Sequence, residues 1–225
     1  MLTLEDQRWL AESACRAARA AGDLIRRSRP GPVERKAGGQ SEASQVVTET
    51  DRRSQEIILE ALEGSVARFS LGVLSEALED DGGRLEKDFF WSIDPLDGTL
   101  PYAESRPGYA VSIALVSRAG VPQIGVLMDP VEDALYCALR GGGVTRNGEP
   151  WSRPPGRSDV GLSVFADRSL VTLPGYAAVV AALDGASMEM GGNRARILLG
   201  GGAVMNACQV LESPAACYFK FPREE

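Results

Sequence analysis

Apolar Leu4, Leu10, Ala14, Ala17, Ala21, Leu24 and Ile25 fall on or near one helical face, which predicts an amphipathic helix over 4–28. Arg26, Arg27 and Arg29 close it, and Pro30 and Pro32 stop it. Gly31 to Ser44 is polar and glycine-rich, hence a predicted mobile loop. Ile57, Ile58, Ala61 and Leu62 mark a second helix from about Thr50 to Gly64. Apolar runs bounded by turn residues predict strands at 69–74, 89–94, 109–117, 122–128 and 134–139, with Pro95 stopping the second of them. Few helices intervene, so this part reads as α+β. From Gly161 the pattern becomes strand 161–166, helix 174–183, strand 186–190, helix 202–211 and strand 215–219, an α/β layer. Arg153-Pro154-Pro155-Gly156-Arg157 reads as a surface linker between an amino-terminal half, 1–150, and a carboxy-terminal half, 151–225.

Composition narrows the function. At 225 residues and 44% hydrophobic content the chain is globular rather than disordered. No apolar run approaches the ~18 residues of a membrane span, so no membrane partner is expected. Met1 to Leu10 carries Glu5, Asp6 and Arg8 without an apolar core, so no signal peptide is expected. A net charge of −7 argues against a nucleic acid polymer as partner, while leaving room for a local basic pocket. Cys15, Cys137, Cys208 and Cys217 show no C-x-x-C spacing and read as reduced thiols of a cytoplasmic protein. The absence of histidine removes Ser-His-Asp and Cys-His schemes and histidine-rich zinc sites. No G-x-x-x-x-G-K-[ST] loop is present, nor a G-x-G-x-x-G after a strand, so nucleotide cofactors lack a signature.

The run Trp91-Ser92-Ile93-Asp94-Pro95-Leu96-Asp97-Gly98-Thr99 sets two carboxylates at the end of an apolar strand. Asp94 and Asp97 cannot both be buried unpaired, so a cation or a set of backbone N–H groups must satisfy them. A hard divalent ion that keeps some water, Mg²⁺, suits converging carboxylates. An Asx-type turn with one aspartate capping a helix suits them too. Asp51 lies near the second helix start, where the dipole favours a carboxylate. Glu76 ends the apolar run Leu71-Gly72-Val73-Leu74-Ser75. Taken singly, each of these acids reads more readily as a cap than as a ligand.

Together the segments resemble the inositol monophosphatase superfamily of Mg²⁺-dependent, lithium-sensitive phosphatases, which includes the CysQ-like 3′(2′),5′-bisphosphate nucleotidases. The resemblance is carried by V-T-E-T-D at 47–51, Glu76, W-S-I-D-P-L-D-G-T at 91–99 and A-V-S-I-A-L-V at 110–116. It continues through G-V-L-M-D-P at 125–130, the glycine run to N-G at 141–148 and G-G-A-V-M-N-A-C at 201–208. It implies a layered αβαβα sandwich with the acidic cluster between its halves, a homodimer, and two or three Mg²⁺ per site. Glu76, Asp94 and the Leu96 carbonyl would hold the first ion, and Asp94 and Asp97 the second, with Glu76 helping a weaker third. Asp51 and Thr99 would orient the attacking water, the backbone of Gly98 and Thr99 would grip the phosphate, and the 31–44 loop would act as a lid. Gly201, Gly202 and Ala203 would contact the substrate, a small phosphorylated metabolite.

Three departures from the family pattern bear on activity and substrate. Members carry a further metal aspartate in a W-D-x-A-A-G-like segment near the C-terminus, and this chain ends at Phe219-Lys220-Phe221-Pro222-Arg223-Glu224-Glu225 before any such segment. A shortened chain is expected on that ground, with a catalytically silent phosphate-binding member as the alternative. Lys220 stands where inositol-specific members carry a glutamate, which suits a second phosphate on the substrate. Leu100-Pro101-Tyr102-Ala103-Glu104 matches neither the inositol nor the nucleotidase branch.

Overall fold

Thr3 starts the first helix, α1 (Leu4–Arg27), through a capping box: Thr3 N–H donates to Asp6 Oδ2 at 3.0 Å and Asp6 N–H to Thr3 Oγ1 at 3.1 Å. Glu5 and Asp6 in its first turn and Arg26 and Arg27 in its last complement the helix dipole. Its buried stripe is Leu10, Ala14, Ala17, Ala18, Ala21 and Ile25, in which the four alanines let the helix lie close on the sheet. This computed structural model describes residues 2–31, 34–35, 46–76, 78–80, 82–157 and 160–220. Apart from Gly31, Glu34 and Arg35, the loop expected at 31–44 lies outside them.

The chain divides into two compact units, Met1–Trp151 and Ser152–Glu225. In the first, β1 (Glu34–Arg35) pairs antiparallel with β2 (Val46–Val47). Helix α2 (Glu49–Phe69) then runs to an αL cap at Ser70, φ 51°. It overruns the predicted end at Gly64 because Ser65 serves the core: its hydroxyl donates to the Leu62 carbonyl and accepts from Trp91 Nε1 at 2.9 Å. A seven-stranded sheet follows in the order β3-β4-β5-β6-β7-β8-β9. These strands are β3 (Gly72–Ser75), β4 (Phe89–Asp97), β5 (Ala110–Ser117), β6 (Pro122–Asp129), β7 (Ala134–Leu139), β8 (Gly143–Arg146) and β9 (Glu149–Trp151). Only β3 and β4 are parallel; every other neighbouring pair in this sheet is antiparallel. Helix α3 (Thr99–Ala103) interrupts the run after β4. Trp91, Ile93, Val111, Ile113, Leu115, Ile124, Val126 and Met128 share one core with the buried residues of α1 and α2.

The second unit holds β10 (Ser163–Ala166), α4 (Tyr176–Glu189), β11 (Arg196–Leu199), α5 (Ala203–Glu212) and β12 (Ala216–Phe219). Its three strands are all parallel, in the order β11-β10-β12. The strand predicted at 186–190 is instead the last turn of α4 and the turn after it, and the strand lies at Arg196–Leu199. Among the described residues no helix is long and apolar enough to cross a membrane.

Gly72 opens β3, the strand that leads to Glu76. A Cβ there would sit 2.6 Å from Arg84 Cα and 2.8 Å from Arg84 Cβ, a backbone clash that no rotamer relieves. Gly72→Ala is therefore expected to cost about 1–3 kcal/mol, read as a lower urea midpoint at unchanged m-value.

Candidate active site

The two residues of β4 between Asp94 and Asp97, Pro95 and Leu96, are matched by one on β5, Val111, since Asp94 pairs with Ser112 and Asp97 with Ala110. The extra residue is a bulge, and it breaks the strict alternation that would send Asp94 and Asp97 to opposite faces. Pro95, which lacks an N–H, is tolerated there and does not end the strand, contrary to the sequence expectation. Glu76 is brought beside this point by the parallel partner: Ser75 is in register with Ile93, and Glu76 N–H donates to the Ile93 carbonyl at 3.2 Å.

Asp94 thus sits among acids. Its Oδ1 accepts from Leu96 N–H at 3.1 Å, the Asx-type turn expected from the sequence. Burial, then the charges of Glu76 and Asp97, push its carboxyl up to about 8. Among the described residues no three acidic or cysteine side chains form a ready-made metal cage. The donor set nevertheless fits a hard cation, because three crowded carboxylates carry charge that only a cation or a proton relieves.

Asp51 stands across from this group on the first turn of α2, almost fully buried. Its Oδ2 accepts from Thr48 N–H at 2.8 Å and Thr48 Oγ1 at 2.6 Å, and its Oδ1 from Thr99 Oγ1 at 2.9 Å. Burial raises its carboxyl pKa, while the Thr48 and Thr99 hydrogen bonds oppose that rise. The Thr99 hydroxyl also lies 3.1 Å from the Leu96 carbonyl, so its single proton has two acceptors. Gly98 adopts φ 82°, a left-handed conformation that costs glycine little, and thereby turns the chain from β4 into α3. Ser54 of α2 donates to the Pro95 carbonyl at 2.7 Å, which ties the helix to the bulge.

The structure therefore gathers Asp51, Glu76, Asp94, Leu96, Asp97, Gly98 and Thr99 within the first unit. Thr48 and Ser54 hold this arrangement and were not singled out from sequence; the spacing from Thr48 to Asp51 is the capping-box signal that points to the first. Lys220, Gly201, Gly202 and Ala203 belong to the second unit. There Gly202 caps α5, and the buried Asn206 donates through Nδ2 to the Gly201 carbonyl at 3.2 Å. Lys220 Nζ lies 3.2 Å from Asp167 Oδ2 and keeps about half of its side chain exposed.

Comparison with known proteins bears on the family and the fold. The Nus factor SuhB of Escherichia coli is 34% identical over 140 residues, which is 60% of this chain and 49% of that protein. Its counterpart in Pseudomonas aeruginosa is 36% identical over 143 residues, with the same coverage. The chain spans about half the length of the curated relatives it matches. Among solved structures, the inositol monophosphatase of Anabaena (Nostoc) superimposes with a TM-score of 0.68 at 25% identity, covering 96% of this chain and 75% of the other. CysQ of Bacteroides thetaiotaomicron, a bacterial member of the inositol monophosphatase family, gives 0.67 at 26% identity over 94% and 79%. These matches place the chain in the α/β sandwich fold of those proteins. The inositol monophosphatase family model matches residues 6–225, nearly the whole length, and this chain belongs to that family.

Proposed function

We propose that this protein hydrolyses the phosphate monoester of a small metabolite, with Mg²⁺ held by Glu76, Asp94, Asp97 and the Leu96 carbonyl. The observation that carries this reading is the crowding of Glu76 and Asp97 on Asp94, charge that a divalent cation would neutralise. Two or three Mg²⁺ bound there would offset the phosphate dianion's charge and lower the pKa of a bound water. Asp51 and Thr99 would orient the attacking water, Asp51 acting through the Thr99 hydroxyl that donates to its Oδ1. The N–H groups of Gly98 and Thr99 face the phosphate. Lys220 is the candidate contact for a second anionic group, a role in which it shares its charge with Asp167.

Phosphate release from inositol-1-phosphate and from 3′-phosphoadenosine-5′-phosphate, each with Mg²⁺ and with EDTA, tests the reading. Turnover of either substrate that needs Mg²⁺ supports it, and undiminished hydrolysis in EDTA contradicts it. Metal binding without turnover of any phosphate ester points to the catalytically silent member instead. Thr99→Ala is expected to lower kcat about a hundred-fold while Mg²⁺ affinity changes little, because it removes positioning rather than a charged ligand. Thr99→Ser keeps the hydroxyl and should recover most of the loss.

A further inference from the structure

A cleft lies on the first unit, on the side of α2 that carries Glu49 and Arg53. It has a volume of about 640 Å³ and opens between the last turns of α1 and the first turns of α2. That is ample for a metabolite of nucleotide size. Its wall is apolar, made of Ala20, Leu24 and Ile57, and Arg27, Arg29 and Arg53 also line it. Arg27 is held by Asp23, through a hydrogen bond from Nε to the carbonyl at 3.0 Å and a 3.7 Å ion pair. Arg29 and Arg53 have no carboxylate partner among the described residues. Glu49, the acid on the lining, pairs with Arg52 at 3.5 Å.

The cleft and Asp51 lie on different sides of α2, with Thr50, which also lines the cleft, between them. Glu49, Arg53 and Ile57 are four residues apart and form one stripe of α2. Asp51, Ser54 and Ile58 are buried on its other side. A positive recess on a chain of net charge −7 is a local feature that bulk charge does not supply.

We infer that this cleft binds an organic phosphate carrying a flat or apolar body, of which a nucleoside monophosphate is the representative. Guanidinium groups grip phosphate oxygens in pairs and stack on planar rings. The Ala20, Leu24 and Ile57 wall covers the rest of such a ligand, which a bare inorganic anion would leave unused.

The test is calorimetric titration of the full chain with AMP, inorganic phosphate and adenosine, in low salt with EDTA. Under those conditions the acidic cluster holds no cation to attract phosphate, so binding reports on the cleft. AMP should bind, and inorganic phosphate and adenosine should bind at least about ten-fold more weakly, since each makes only part of the contact. The double variant Arg29→Glu, Arg53→Glu should weaken AMP at least about ten-fold, the loss expected for one or two charged hydrogen bonds. Its melting temperature should hold, because both side chains are exposed. The pair Arg29→Lys, Arg53→Lys should retain part of the affinity. Unchanged AMP affinity in the charge-reversed protein would overturn the assignment, as would no AMP binding at millimolar concentration.

Discussion

Asp94→Asn is expected to abolish most turnover while making the metal-free protein more stable. The side chain sits between Glu76 and Asp97, so replacing it removes the group best placed to bridge two cations. If that loss is worth about 4 kcal/mol of transition-state stabilisation, kcat falls about a thousand-fold. Stability moves the other way. A carboxyl whose pKa rises from 3.8 to about 8 on folding binds its proton more tightly in the folded chain than in the unfolded one. The metal-free protein therefore loses stability as pH climbs from about 4 to about 8 and levels off above that. An amide has no proton to lose, so the difference in stability between variant and wild type should grow across that range. Melting curves in EDTA at several pH values read this directly, and the same curves with Mg²⁺ should show a stabilisation in wild type that the variant lacks.

Trp91→Ala is the expected extreme for stability. Trp91 is completely buried in the core shared by α1, α2 and the large sheet, and its indole N–H donates to Ser65. Removing it should cost about 3–5 kcal/mol through lost burial and the cavity left behind. Trp91→Phe keeps most of the volume and should cost less, the remainder reporting on the Ser65 hydrogen bond. Urea unfolding followed by circular dichroism measures both. Because Asp94 lies on the same strand, a loosened Trp91 site should also lower metal affinity.

Helix α1 was legible because several local signals agree: the apolar stripe, the acidic start, the basic end and the following prolines. Helix α2 was read too short because Ser65 and Val66 carry no helical mark of their own, and their place depends on Trp91 from a distant strand. The acids of the site could be named from spacing and resemblance. Their convergence was implied by the resemblance, but its physical cause was not legible, since it is a bulge that appears only in the pairing of β4 with β5. Pro95 read as a stop for the same reason: whether it ends a strand or sits in a bulge is decided by the neighbouring strand. The strand expected at 186–190 is helix and turn, because α4 continues through Gly185 to Glu189. The basic cleft left no local trace, because Arg27 and Arg29 are far in sequence from Arg53 and only the α1–α2 packing joins them.

The central claim is that Glu76, Asp94 and Asp97 are a divalent cation site. Crystals of the wild-type protein soaked in Mn²⁺, with diffraction recorded at the manganese absorption edge, test it most directly. The account predicts an anomalous peak enclosed by those three carboxylates and the Leu96 carbonyl. No peak there, in crystals that show manganese elsewhere on the chain, would contradict it.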